Sequence, residues 1–300
     1  NKVFYVWFDA PIGYVSFTKE LKKDSWREWW SADNNVFLYQ FMAKDNIPFH
    51  TILFPGILIA ADDNYNLVHH VSATEYLNYE NDQFSKSRKI GVFGDDAIAS
   101  GIDCDTWRYY LLINRPETAD YHFTWDDLLD KTNNELIANL GNFINRSLVF
   151  TKKYFDGKIP NQDDNDKDKK FRKDVVDLIR EEYIPLMKEA KLKDAMKFVM
   201  HISRLGNQYF QENEPWKLAK DDMKRCGAVI NVCDNLVKTL AIIMEPFLPV
   251  TSKEVFKQLG IIPQNLSDID TLLGNGQIIG EPTGLFRKLE EKEITALKEK

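Results

Sequence analysis

The sequence predicts an α/β segment followed by an all-α helical bundle. Two observations predict it. About the first ninety residues hold short β-branched and aromatic runs broken by turn sequences, and from about Asp105 onward apolar residues recur at helical spacing. The runs at residues 3–8, 36–41, 49–54 and 67–71 are expected to be strands, separated by Pro-Ile-Gly, Lys-Asp-Asn and Asp-Asp-Asn turns. Between them, residues 25–30 are expected to form a short helix, with Ser25 as N-cap and Glu28 completing a capping box.

Trp107, Tyr110, Leu111 and Ile113 open the helical part. Longer helices are expected at about 125–155, 169–190, 192–213 and 221–244, with a shorter one near 251–259, together enough for a bundle. Residues 161–170 alternate Asp, Asn and Lys without an apolar side chain, which is the composition of a surface loop. Residues 261–283, with Pro, Gly and Asn throughout, are expected to be irregular, and 285–297 to close the chain as an amphipathic helix.

Composition bounds the partners. Three hundred residues with 44% hydrophobic content suffice for two domains with separate cores. No run of eighteen apolar residues occurs and residues 1–9 show no basic leader, so no membrane is expected. Cys104, Cys226 and Cys233 lack the paired spacing of a zinc site, so free thiols in a reducing compartment, the cytoplasm, are expected and no bound metal. A net charge of −7 argues against indiscriminate coating of nucleic acid, which needs an excess of Lys and Arg; any such contact has to be local.

The first candidate for chemistry is Phe84-Ser85-Lys86-Ser87-Arg88, a polar turn flanked by Gly91 and Gly94 whose cations can reach phosphates. Nucleotidyl transfer needs negative charge on a leaving pyrophosphate to be offset, and a mobile Lys86 suits that role. Alone, the triplet reads as an exposed basic turn. Residues 83–87 resemble the Lys-Met-Ser-Lys-Ser signature of class I aminoacyl-tRNA synthetases, in the Phe-containing version of eukaryotic-type methionyl-tRNA synthetases. Gln83 stands where that signature has its first Lys, so Arg88 and Lys89 would have to share the charge work or ATP binding would be weaker. The resemblance makes Ser85, Lys86 and Ser87 catalytic and adds Arg88 to the ATP contacts.

Trp7-Phe8-Asp9-Ala10-Pro11-Ile12-Gly13-Tyr14 reads as a buried strand turning sharply on Pro11 and Gly13, with aromatic surface and a phenol. As a bare pattern it is core. It is similar to the methionine-pocket motif of the same family, and that resemblance implies that Trp7, Ala10, Pro11 and Tyr14 line the amino-acid site. A thioether is polarisable and favours aromatic walls. Ala43-Lys44-Asp45-Asn46-Ile47-Pro48-Phe49-His50 follows an expected strand and puts Asp45 at its carboxyl end, where α/β sheets bind ligands. It looks like the family's Gly-Lys-Asp segment, with Ala43 for Gly, which implies that Asp45 meets the ribose and His50 closes the methionine pocket. Without that match Asp45 is a turn cap and His50 a core histidine. Glu75-Tyr76-Leu77 resembles the strand that reads adenine, giving Tyr76 and Leu77 as further ATP contacts, while His69 and His70 are taken as structural.

Asn142 and Arg146 stand four apart on one helix face, where an amide and a guanidinium can read base edges or be an ordinary polar face. Asn213-Glu214-Pro215-Trp216-Lys217 joins two helices and leaves Trp216 to stack on an unpaired base or staple a core. Both resemble, in the expected order, the family's anticodon-contacting elements, which implies Asn142, Arg146, Pro215 and Trp216 as anticodon residues.

The implied fold is the C-terminal half of a class I Rossmann-type domain with its lysine-loop region, residues 1–123, then a helical anticodon-binding domain with a C-terminal return segment, residues 124–300. The implied activity is that of a methionine–tRNA ligase: methionine and ATP, as its Mg2+ complex, give methionyl-adenylate, and the methionyl group passes to tRNA(Met) with anticodon CAU. No His-Ile-Gly-His run occurs in the sequence, and the family's zinc insertion also precedes this region. The chain is therefore expected to be a fragment that needs the N-terminal half carrying that signature. A class I synthetase for another amino acid, or a non-catalytic tRNA-binding derivative suggested by Gln83, are the alternatives.

Overall fold

A computed structural model describes residues 2–298. Asn1, where the opening apolar run begins, and the last two residues lie outside the described part. The chain forms two compact units, residues 1–77 with 116–121, and residues 78–115 with 122–300. These units do not follow the 123/124 boundary expected from the sequence, and the lysine turn lies in the second unit.

In the first unit α1 (Ile12–Lys22) and α2 (Arg27–Trp30) precede β1 (Leu38–Ala43), then α3 (Phe54–Ala60) and β2 (Val68–Thr74). β1 and β2 run parallel in register from Tyr39 opposite His70 to Ala43 opposite Thr74, as the β-branched and aromatic runs led one to expect. Two other apolar runs are not strands. Residues 3–8 end in a 3-10 turn, Val6–Phe8, and Pro11 with φ −62° starts α1 instead of a sharp reversal. Phe49–Leu53 forms a π turn that continues into α3, so residues 49–54 wind where an extended run was expected. A short apolar run has no periodicity that separates strand from helix, and Pro48 and Pro55, both acceptable in a first helical turn, decided it. α2 exists, but Ser25 does not cap it: its hydroxyl donates back to the Lys22 carbonyl at 3.0 Å. Val15, Trp30, Phe54 and Leu58 make this unit's buried cluster.

The second sheet pairs β3 (Leu77–Tyr79) with β4 (Tyr121–Phe123). α4 (Gly94–Ala99) and α5 (Cys104–Ile113) come between them in sequence. The bundle follows. α6 (Trp125–Asp130) passes through a π-wound stretch, Lys131–Gly141, into α7 (Asn142–Tyr154), and α8 (Asp166–Leu178) passes through Ile179–Tyr183 into α9 (Ile184–Lys188). α10 (Leu192–Asn213), α11 (Pro215–Asp221), α12 (Met223–Met244) and α13 (Pro249–Gln258) complete it, with α14 (Glu291–Lys298) last. The closing helix is thus shorter than expected, since residues 285–290 are not helical.

α12 is long and apolar enough to cross a membrane, but from Cys226 to Met244 each of its residues is buried in the bundle. The acidic stretch 161–170 is only partly a loop. Asn165 caps α8, Asp164 pairs with Arg172 at 2.8 Å, and the fully buried Asp168 pairs with Arg225 and accepts from Tyr209 at 2.5 Å. The composition of a ten-residue window holds no information about Arg225, 57 residues from Asp168, or about which way Arg172, just past the window, will turn, and those two arginines are what allow the carboxylates to be buried.

Gly206 sits mid-helix in α10, where glycine costs about 1 kcal/mol in propensity. A Cβ there would lie 2.6 Å from the Phe143 ring and 2.8 Å from Leu236. Gly206→Ala is expected to lower stability by ~1–3 kcal/mol through overpacking, despite its helix propensity, as measured by urea unfolding. On α12, Asp234 is fully buried and accepts from Ser147 at 2.7 Å and Thr151 at 2.6 Å. Burial pushes its carboxyl up from 3.8 to about 7 against the pull of those two hydroxyls. Between those values the folded chain holds a proton that the unfolded chain has released, so this group's contribution to stability falls as pH rises from 3.8 to about 7 and is level above. Asp234→Asn is expected to remove that fall, seen as the difference between variant and parent in thermal melts across the range.

Candidate functional site

In the first unit, Trp7, Tyr14 and His50 come together. Tyr14 lies one turn into α1, and His50, 1% exposed, sits in the π turn after β1. The Asn46 carbonyl accepts from His50 Nδ1 at 2.8 Å, which leaves Nε2 with its lone pair, and the Tyr14 hydroxyl donates to it at 2.8 Å. Trp7 stacks on Phe49 with centroids 4.8 Å apart and meets His50 edge-on at 5.4 Å. Phe49 is an aromatic of this wall that sequence reasoning left unnamed; its place beside His50 was the available signal. Pro11 is buried at the start of α1, whereas Ala10 is exposed.

Asp45 lies just past the carboxyl end of β1, in the 3-10 turn Lys44–Asn46, as expected from the strand before it. Glu75 and Tyr76 lie just past the end of β2 beside it, and Leu77 opens β3. The Tyr76 hydroxyl donates to Asp45 Oδ2, and this bond holds the phenol's pKa above its usual value. Lys44, not singled out by its sequence, pairs with Glu75 and with Asp120 at 3.2 Å, and its ammonium stands 4.3 Å over the Tyr76 ring. The bond to Glu75 raises the Lys44 pKa, while the Tyr76 backbone N–H, then Lys44, lower that of Asp120. The carboxyl edge of the parallel pair therefore carries one ammonium shared between two carboxylates beside Asp45.

The lysine turn, in the second unit, is a tight reversal. Ser85 and Ile90 exchange backbone bonds at 2.8 and 2.9 Å, and Lys89 takes φ 55° at the corner. Phe84 anchors it on Tyr79 at 5.4 Å and Phe93 at 6.2 Å, and Tyr79 stacks on Phe123. Ser85 and Ser87 hydroxyls lie 3.4 Å apart. Arg88 makes a half-exposed pair with Asp82 at 3.4 Å, whereas Lys86 is exposed and has no ion pair among the described residues. The Gln83 backbone N–H, first, and Arg88 hold the Asp82 carboxyl below its usual value.

Also in the second unit, Asn142 and Arg146 project from α7 onto α10. The Asn142 amide reaches Asn207 at 3.4 Å, and the Arg146 guanidinium lies 4.5 Å from the Phe210 ring centroid with no acceptor among the described residues. Phe210 in turn is 6.2 Å from Trp216. Trp216 is half-buried on α11, which starts at a buried Pro215 after Glu214 takes the left-handed conformation, φ 44°. Pro215 is thus buried at the start of α11, while Arg146 and Trp216 share the buried Phe210 ring and Asn142 meets Asn207 on the same helix as Phe210, so Phe210 and Asn207 are unnamed supports. Their spacing of three on α10 against four on α7 was the signal.

A family model described as tRNA synthetases class I (M) matches residues 1–148, and one described as the anticodon binding domain of methionyl tRNA ligase matches residues 159–300. The chain belongs to the methionyl-tRNA synthetase family of class I. Cytoplasmic methionine–tRNA ligases of Xenopus laevis and Homo sapiens are 46% and 45% identical to it over 307 residues, each alignment covering 100% of this chain and 34% of the relative. The Dictyostelium discoideum protein, a probable cytoplasmic methionine–tRNA ligase, is 45% identical over 98% of this chain and 40% of its own length. The chain thus spans about a third of the length of these relatives. The Mycobacterium tuberculosis methionyl-tRNA synthetase in complex with methionyl-adenylate superposes with TM-score 0.82 at 25% identity, over 95% of this chain and 56% of that one. Within this family the aromatic cluster, the strand edge and the lysine turn fall in the class I part, and the surface of Asn142, Arg146 and Trp216 spans the two matched segments.

Gly91 holds the lysine turn in shape: at φ 131° a Cβ would lie 2.3 Å from the Phe84 ring. Gly91→Ala is expected to loosen the turn by ~1–3 kcal/mol. The check is limited proteolysis, where trypsin should cut after Lys86, Arg88 or Lys89 faster than in the parent.

Proposed function

We propose that this chain supplies the second half of the catalytic domain and the anticodon-binding domain of a cytoplasmic methionine–tRNA ligase. The observation that carries the proposal is the convergence of His50, 36 residues on from Tyr14, with Trp7 and Tyr14 into one aromatic wall. In this reading Trp7, Ala10, Pro11, Tyr14 and His50 surround the methionine side chain, whose sulfur favours ring contacts. The Tyr14–His50 bond fixes the histidine tautomer and so the polarity of that wall.

Asp45, Tyr76, Leu77, Lys86 and Arg88 take ATP, which arrives as its Mg2+ complex. Asp45 uses one oxygen on Tyr76 and keeps the other for ribose hydroxyls. A methionine carboxylate oxygen attacks the α-phosphorus, the bond to the β-phosphate oxygen breaks, and pyrophosphate leaves with its charge offset by Lys86 while Ser85 and Ser87 line the turn. A ribose hydroxyl of the tRNA terminus then attacks the methionyl carbonyl and AMP leaves. Asn142, Arg146, Pro215 and Trp216 hold the CAU anticodon of tRNA(Met) through unstacked bases. Activity belongs to the assembly of this chain with an N-terminal half bearing the His-Ile-Gly-His signature, absent from these residues.

Methionine-dependent ATP–pyrophosphate exchange, measured with both halves together, tests this. Methionine is expected to support exchange where isoleucine, leucine and valine do not, and Lys86→Ala is expected to lower kcat by roughly 10²–10³-fold, as for loss of one transition-state donor, with methionine KM little changed. Equal exchange with other amino acids would overturn the substrate. Gln83, where the signature has Lys, favours a second reading as a non-catalytic tRNA-binding derivative; tRNA binding without exchange in the reconstituted protein would establish it.

A further inference from the structure

The amide chain under the anticodon surface has a fixed direction. Asn139 Nδ2 donates to the Met200 carbonyl at 2.9 Å, so its Oδ1 faces the other way, toward Asn207. Asn207 Nδ2 donates to the Asn139 and Ser203 backbone carbonyls at 3.1 and 3.2 Å and to Asn139 Oδ1 at 3.1 Å. Backbone carbonyls only accept, so these contacts decide which end of the Asn207 amide is nitrogen. Its Oδ1 is therefore turned to Asn142, which it meets at 3.4 Å and which must present its NH2 inward. The carbonyl oxygen of the exposed Asn142 is left outward, one helical turn from Arg146, whose donors have no acceptor among the described residues.

We propose that Asn207 is a specificity-determining residue: it sets the Asn142 amide so that the surface offers an acceptor outward and selects a base with an exocyclic amino group. This rests on the anticodon reading given above. An outward acceptor beside a guanidinium complements a cytosine edge, with its N4 amino group and its N3 and O2 acceptors, and opposes uracil, which presents O4 and an N3–H. With the amide reversed, the same side chain would accept uracil. Asn207 touches no base; it acts through Asn142 and is a positioning residue.

The test is binding of the chain to two RNA hairpins with anticodon loops CAU and UAU. The parent is expected to prefer CAU by about tenfold or more, the scale of one good base contact. Asn207→Ala, or Asn207→Leu, which keeps the branched shape without the polar atoms, is expected to cut that preference to below about threefold, because Asn142 can then turn either way. Asn142→Asp combined with Asn207→Ala should restore the preference, since a carboxylate presents an acceptor in either orientation. Equal weakening of both hairpins with the preference intact would make Asn207 a structural residue and overturn the inference alone. No preference in the parent would overturn both the inference and the anticodon reading.

Discussion

The close approach of α10 to its neighbours is the constraint on which the bundle rests. Gly206 lets the Phe143 ring of α7 and Leu236 of α12 occupy the space a side chain would take. Next to it, on the same helix, Asn207 and Phe210 reach Asn142 and Arg146. A wider separation would leave the amide chain unconnected and the guanidinium without a ring beneath it. The packing of the bundle and the proposed anticodon surface therefore meet at one helix crossing, and the residue that permits it is the one with no side chain.

Charge is treated differently in the two parts of the molecule. At the strand edge beside Asp45, the partly exposed Lys44 is shared between Glu75 and Asp120, which costs little in water. Inside the bundle, Asp168 is buried only because Arg225 and Tyr209 meet it, and Asp234 only because two hydroxyls do and its proton can stay. The lysine turn follows a third scheme: Arg88 is tied to Asp82 while Lys86 is left exposed, so one cation shapes the loop and another remains available.

A stretch such as Leu192–Asn213, with apolar residues at helical spacing throughout, could be read to its ends from the sequence, since its period of 3.6 is incompatible with a strand. The parallel strands were legible through β-branched content, and Asp45 through its place after one of them. The motifs Trp7–Tyr14, Gln83–Ser87 and Asn213–Lys217 identified the family because specific side chains at specific spacings are kept in the chain itself.

What the linear order could not hold was every choice made by distant partners. Residues 49–54 were apolar enough for either winding, and the sequence did not show that Phe54 would be buried against Val15, Trp30 and Leu58. The acidic run 161–170 looked solvated until Arg172 and Arg225 folded onto it. The composition and motifs of this sequence determined the kind of fold and the kind of chemistry, because these depend on residue type and local spacing. Which way an amide faces, which cation stays unpaired and which carboxylate is buried were decided only in three dimensions, because each depends on an energy shared between groups that meet only after the chain has folded.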